Sequence, residues 1–101
     1  MARRIPPLNP LHVFEVVARA GSLTRAADEL HISQSAVSRQ IAVLEGYLNV
    51  RLFQRERRGV TLTPLGAAYL RDIGPAFALI ASGTERLLAE ASGGPLRVRT
   101  Y

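Results

Sequence analysis

Two short apolar stripes of helical period run back to back between Leu23 and Leu48, and they leave the chain few ways to fold. Leu23, Ala26, Ala27 and Leu30 follow the i, i+3, i+4, i+7 spacing of one buried helix face. Val37, Ile41, Leu44 and Leu48 make a second regular stripe. Only His31-Ile32 stands between them as a turn, with Ser22 and Ser33 placed to cap the two helices. A short helix, a tight turn and a second helix with an exposed polar face spell a helix-turn-helix at about residues 23–42.

The flanking segments extend this unit. Residues 1–7 read as an extended arm. Asn9-Pro10 reads as a helix start, with Asn as N-cap and Pro at the first helical position. Leu11, Phe14, Val17 and Ala18 then keep helical spacing up to a stop at Gly21. Asn49 is placed to end the third helix, since Asn tolerates the left-handed conformation. The period then changes. Val50–Phe53 and Val60–Thr63 are β-type runs around Arg57-Arg58-Gly59 and predict a hairpin. Thr63-Pro64 repeats the cap-plus-proline start, and a helical pattern follows over 64–91, about 42 Å at 1.5 Å per residue. Ser92-Gly93-Gly94-Pro95 reads as a flexible stop. Leu96–Tyr101 alternates like the first strand of a further domain. The expected fold class is mainly α: three helices and a hairpin over 8–63, then one long helix.

Charge adds a partner class. The chain of 101 residues carries 13 basic and 8 acidic groups, a net charge of +5, and every basic residue is Arg. Residues 1–63 hold nine Arg against five acids, while 64–101 hold four against three. Arg presents a planar fork of donors that suits phosphate and guanine edges. A polyanion is therefore the favoured partner class. The absence of cysteine excludes disulfides, thiolate metal sites and thiol nucleophiles. The longest weakly polar run, Ile73–Gly83, is about half of a membrane span, and the first residues lack the apolar core of a signal peptide. The expectation is a soluble, cytoplasmic protein without membrane association.

On a helical wheel, Ser35, Ser38, Arg39, Ala42 and Gly46 lie opposite the apolar stripe of the third helix, with Gln34 on the flank of its first turn. Small side chains let a helix approach a groove floor. Gln pairs with adenine, Arg with guanine, and Ser with base or phosphate. The bland alternative is a solvated helix poor in charge. The hairpin places Arg55, Arg57 and Arg58 where a wing meets the DNA backbone or minor groove. Against that, charged turns are usually just solvated, and Glu56 opposes one of the three.

The long helix carries an apolar stripe. On a heptad grid one seam takes Tyr69, Ala76 and Gly83, the other Ile73, Ile80 and Leu87, with Leu70, Phe77 and Leu88 widening it. A helix of this length is expected to bury the stripe against a second copy of the chain. The competing possibility is that it folds back over the first three helices. His12 and His31 have no ligand-spaced partners, so no metal site is expected. A hydrolase using Ser35 or Ser38 with His31 lacks an orienting acid and a pocket.

Residues 8–66 resemble the N-terminal domain of LysR-type transcriptional regulators. The resemblance rests on Phe14, Gly21-Ser22-Leu23-Thr24-Arg25-Ala26-Ala27, Leu30, Ser33-Gln34-Ser35-Ala36-Val37-Ser38-Arg39-Gln40-Ile41, Leu44-Glu45, Leu52-Phe53-Gln54-Arg55 and Leu62-Thr63-Pro64-Leu65-Gly66. Pro7-Leu8-Asn9-Pro10-Leu11 with Phe14-Glu15 is similar to the branch of glycine-cleavage and β-lactamase regulators. The resemblance implies a winged helix-turn-helix whose third helix enters the major groove, followed by a dimerising linker helix. It implies base and phosphate contacts by Gln34, Ser35, Ser38 and Arg39, backbone contacts by Thr24, Arg25 and Ser33, and wing contacts by Arg55 and Arg58. It implies double-stranded DNA as partner, an interrupted palindrome as site, and Tyr69, Ile73, Ala76, Phe77, Ile80 and Leu87 as the dimer seam. Tetramers are expected of the full-length protein.

Three departures from the family pattern bear on structure. Ser35 replaces a common proline, so the start of the third helix is expected to be less rigid. Gly46 and Asn49 alter its end, where fraying or different capping is expected. Gly74-Pro75 predicts a bend or short break in the long helix. Family members are about three times longer, so the chain reads as a DNA-binding domain plus linker. No cofactor is expected within it, and a small-molecule effector would bind the C-terminal domain. The alternative function is a helical dimerisation module without DNA specificity.

Overall fold

The computed structural model describes residues 4–57 and 59–93. Four helices and a hairpin follow in order: α1 Leu8–Ala20, α2 Leu23–Leu30, α3 Gln34–Leu48, β1 Phe53–Glu56, β2 Gly59–Leu62 and α4 Pro64–Gly93. Of the expected hinge and strand over 92–101, Ser92 and Gly93 continue α4 instead, and residues 94–101, like the wing residue Arg58, lie outside the described residues.

Local chemistry sets most boundaries. Gly21 closes α1 in the left-handed region at φ 70°. Ser22 caps α2 by accepting from the Arg25 N–H at 3.1 Å, and Ser33 caps α3 by accepting from Ala36 at 3.1 Å. Thr63 caps α4, its hydroxyl accepting from the Gly66 N–H and donating to the Arg51 carbonyl. His31 and Asn49 both take left-handed conformations, at φ 60° and 58°. Asn49 ends α3 with its N–H on the Glu45 carbonyl, so the helix is capped rather than frayed.

Three boundary expectations need correction. Asn9 is not the cap of α1: the helix starts at Leu8, and no side chain caps it. The Pro7 carbonyl already accepts from Leu11, which leaves Pro10 in the first turn, where no N–H is needed. The first hairpin strand is Phe53–Glu56, not Val50–Phe53, and it pairs Phe53 with Leu62 and Glu56 with Gly59. Leu52 is spent on the core instead, and strand identity follows pairing rather than β-propensity. α4 runs unbroken through Pro75. Proline there removes one hydrogen bond, and Gly74 before it has no Cβ to clash with the ring.

The core gathers around α1. Leu11, Val13, Phe14, Val16 and Val17 are buried with Ala26 and Ala27 of α2, Val37, Ile41 and Leu44 of α3, and Leu52 and Phe53. Val13 and Val16 lie off the expected stripe because α1 is covered on several sides, by α2, α3 and α4. Phe14 is fully buried, with ring centroids 5.5 Å from Phe53 and 5.6 Å from Tyr69. Burial against this cluster pushes the Tyr69 phenol above its ordinary range, with a smaller contribution from Tyr47.

α4 corrects the expectation that its stripe needs a second chain throughout. Tyr69, Leu70, Ile73 and Phe77 pack on the core of their own chain, with Phe77 lying against the His12 ring at 5.5 Å. Ala76, Leu79, Ile80, Leu87 and Leu88 remain exposed. The stripe is divided because α1, with which α4 packs, is less than half as long: 13 residues against 30.

Gly66 is where α4 meets the base of the wing. A Cβ there would overlap the Leu52 carbonyl oxygen and come within 3.0 Å of its carbon, both immobile backbone. Gly66→Ala is therefore expected to lower stability by ~1–3 kcal/mol through overpacking. Gly46, whose Cβ would meet nothing within 4 Å, is expected to gain up to ~1 kcal/mol as Ala from helix propensity. Urea melts of the two variants should move in opposite directions, and a shared direction would contradict the close approach at Gly66.

Candidate nucleic-acid interface

The start of α3, the start of α2 and the hairpin converge on one face. Gln34 and Ser35 open α3, both exposed. Gln34 Nε2 donates to Thr24 Oγ1 at 2.8 Å, joining the two helices. Ser33 and Ser35 place their hydroxyl oxygens 3.2 Å apart. Ser33 has a second task as the cap of α3, which supplies local order where the proline is missing. One turn on, Ser38 is half-buried and accepts a long hydrogen bond of 3.4 Å from Arg55 Nη2 on β1. Arg39 is exposed beside it, and Arg25 is exposed on the first turn of α2.

Two clefts show how these residues are brought together. One of about 270 Å³ is lined by Ser22, Thr24, Gln34, Arg55 and Arg57 among others, and separates the helix starts from the wing. The other, of about 160 Å³, lies between α3 and the wing and takes in Ser38, Ala42, Glu45, Arg51 and Arg55. Of the predicted contact residues, Thr24, Gln34, Ser38 and Arg55 line these clefts, Ser33 and Ser35 flank Gln34 along the chain, and Arg25 and Arg39 are exposed on α2 and α3. Arg57, at the hairpin turn, joins them.

Charge on this face is only partly compensated among the described residues. Among the described residues, the ion pairs are Arg19 with Glu15 and Glu29, and Arg51 with Glu45. No carboxylate within 4.0 Å pairs with Arg25, Arg39, Arg55 or Arg57 among those residues. Glu56 accepts instead from the Thr61 hydroxyl at 3.3 Å. Arg19 lies on α1 and acts as a strap. Its guanidinium reaches Glu15 at 3.0 Å and Glu29 of α2 at 2.9 Å. Those hydrogen bonds, first to Glu15, hold the Arg19 pKa above its ordinary value, and the bond from Arg19 holds Glu29 below the usual carboxylate range. The strap is exposed, so screening by water keeps its contribution small.

Glu45 is the residue that spacing did not single out as functional. Its carboxylate is shielded on the flank of α3 and accepts from the Leu52 N–H at 2.7 Å and the Phe53 N–H at 3.2 Å. It thereby ties the last turns of α3 to the start of the wing. The sequence signals are its place one residue after a core leucine and in the Leu44-Glu45 block of the family resemblance. Nothing in a wheel says that it reaches forward to residues 52 and 53.

Residues 8–67 match the sequence model described as bacterial regulatory helix-turn-helix protein, lysR family. This chain belongs to that family. Among its relatives, the glycine cleavage system transcriptional activator of Escherichia coli K12 is 45% identical over 98 residues, covering 97% of this chain and 32% of the relative. The glycine cleavage system transcriptional activator homolog of Haemophilus influenzae is 50% identical over 88 residues, covering 87% and 29%. Both relatives are regulators rather than enzymes. The chain spans about a third of the length of the first of them. The solved BenM_DBD/benA site 1 DNA complex superposes with a TM-score of 0.73 at 33% identity, over 87% of this chain and 99% of that one. The LysR-family winged helix-turn-helix with its long following helix is thus this chain's fold. Among the described residues no helix is long and apolar enough to cross a membrane, and no cluster of metal-ligating side chains is present.

Removing the Glu45 carboxylate isolates its role. Glu45→Ala leaves two backbone N–H groups without their charged acceptor and is expected to cost ~1.5–3 kcal/mol. Amide hydrogen exchange should accelerate at Leu52 and Phe53 more than at Val37 or Ile41. Uniform acceleration would mean that Glu45 acts only through global stability.

Proposed function

We propose that this chain is a sequence-specific DNA-binding unit of a LysR-type transcriptional regulator, reading an interrupted palindrome as a dimer. The observation that carries the reading is the exposed start of α3 facing the wing, where Arg55 and Arg57 share a cleft with Gln34 and Thr24, while Arg25 and Arg39 are exposed on α2 and α3 with no carboxylate partner among the described residues. Phosphates attract such groups without sequence preference, and base edges supply the selection. Arg39 suits guanine, Gln34 suits adenine, and Ser35 and Ser38 suit either base or phosphate. Arg55 and Arg57 reach for the backbone or minor groove from the wing, Arg25 and Ser33 belong to backbone contacts, and the family resemblance implies one for Thr24 as well. That a domain of the same fold was solved in complex with DNA supports the DNA-binding reading.

The exposed second half of α4 supports dimerisation. Ile80 and Leu87 are 59% and 65% exposed, next to Leu79 and Leu88. A groove of about 700 Å³ between α1 and α4, lined by Leu8, His12, Phe77 and Ile80 among others, continues that apolar surface. A second copy covers it, with Ile80 and Leu87 as the free part of the seam and Tyr69, Ile73 and Phe77 holding α4 to its own domain. Tetramers, and a small-molecule effector bound outside residues 1–101, belong to the full-length regulator. The site of action is the bacterial cytoplasm, where the promoter is.

Selection from a random duplex pool tests the DNA reading. Enrichment of an interrupted palindrome is expected, and Arg39→Ala should cost ~1–3 kcal/mol on the best site while relaxing preference at one base pair. Weak binding without preference, lost at modest salt, would leave only electrostatic attraction and favour a protein-interaction module. Sedimentation tests the seam separately. Ile80→Glu/Leu87→Glu should convert a dimer to a folded monomer, and a variant that stays dimeric would place the interface elsewhere.

A further inference from the structure

Thr24 and Gln34 belong to different helices, yet the hydrogen bond between them joins two otherwise exposed side chains. Both are held by rigid backbone. Ser22 caps the turn that carries Thr24, and Ser33 caps the turn that carries Gln34. Ala26, Ala27 and Val37 anchor those turns in the core. The 2.8 Å separation of Nε2 and Oγ1 is therefore set by packed elements and not by a loop.

The bond limits what Gln34 can offer a ligand. A carboxamide has two N–H donors and one carbonyl acceptor. With one N–H on Thr24, one N–H and the carbonyl remain. These are the complement of the adenine N7 acceptor and N6–H donor in the major groove. A carboxamide free to rotate presents that pair in any order, and fixing the order beforehand spares the ordering cost at docking. Exclusion of water from the groove then strengthens the Thr24 bond.

We infer that Thr24 is a positioning residue for base recognition, its hydroxyl holding the Gln34 carboxamide in the orientation that reads adenine. The inference deepens the DNA-reading function proposed above and rests on it. It differs from the backbone contact that the family resemblance implies for Thr24. A phosphate contact strengthens binding to all sequences alike, whereas a positioning contact acts on a single base pair.

Five proteins decide between these roles in site selection from a random duplex pool: wild type, Thr24→Val, Thr24→Ser, Gln34→Ala and the double variant Thr24→Val/Gln34→Ala. Thermal melting checks that each is folded. Valine keeps the branched shape and removes the hydroxyl, and serine restores the hydroxyl. Thr24→Ala serves in place of Thr24→Val if the latter does not fold. Gln34→Ala should identify the base pair that Gln34 reads by erasing its adenine preference. Thr24→Val should lower preference at that same base pair by roughly 10-fold and leave the other positions unchanged. Thr24→Ser should retain the preference. In the Gln34→Ala background, Thr24→Val should add nothing at that base pair.

Uniform weakening by Thr24→Val, with that base pair still selective, would make Thr24 a backbone contact and overturn the inference. Equal loss in Thr24→Ser would overturn it too, because the hydroxyl is then not the cause. Wild-type enrichment that Gln34→Ala leaves untouched would overturn it while sparing the DNA-reading function. A wild-type pool that stays random would overturn both.

Discussion

Phe14 stands where three parts of the molecule meet. Its ring is fully buried in α1, tilted against Phe53 at the start of the wing and against Tyr69 in α4. Burying a phenyl ring stabilises by ~1.5–3 kcal/mol, and each tilted aromatic pair adds ~0.5–1.5 kcal/mol. The larger consequence is geometric. A wing of eight strand residues has no core of its own, and a 30-residue helix has no reason to take one direction. Phe14 is the contact they share, and Leu70, Ile73 and Phe77 add further hold on α4. The recognition helix is joined to the same arrangement through Glu45, whose carboxylate holds the backbone at Leu52 and Phe53.

This construction separates the two surfaces by chemistry. The face built from the starts of α2 and α3 and the wing is hydroxylic and cationic, and its guanidiniums stay unpaired among the described residues. Several carboxylates are engaged: Glu15 and Glu29 with Arg19, Glu45 with wing backbone and Arg51, Glu56 with Thr61. The second half of α4 is apolar and exposed. A cationic face suits a polyanion, while an apolar face suits a like apolar face. The proposed reading of two half-sites by a dimer would use both, with α4 as rigid length between them.

Legibility in the sequence followed the range of the interaction. The caps at Ser22, Ser33 and Thr63 were readable because each side chain bonds a backbone N–H three residues on. Gly21 and Asn49 were readable because the left-handed conformation selects such residues. Asn9 misled because a local cap signal competed with Pro7, whose carbonyl had already started the helix. The hairpin was foreseen as a hairpin, but its first strand was shifted. Val50 and Leu52 have the right propensity, and packing took them for the core. The α4 stripe was visible as a stripe, but a heptad grid does not say which part faces α1.

The sequence alone determined the helix-turn-helix, the hairpin after it, the long helix and the family to which the residues point. These depend on periodicity, on capping over a few residues and on motif spacing, all properties of contiguous chain. Only the tertiary structure decided that Glu45 clamps the wing and that Gln34 leans on Thr24. Only the tertiary structure divided the α4 stripe between its own core and open surface. Each of these depends on where helices cross. Crossing is set by the collective packing of α1, α2 and α3 around Phe14, Val16, Val17, Val37 and Leu44, and no short window of sequence contains that information.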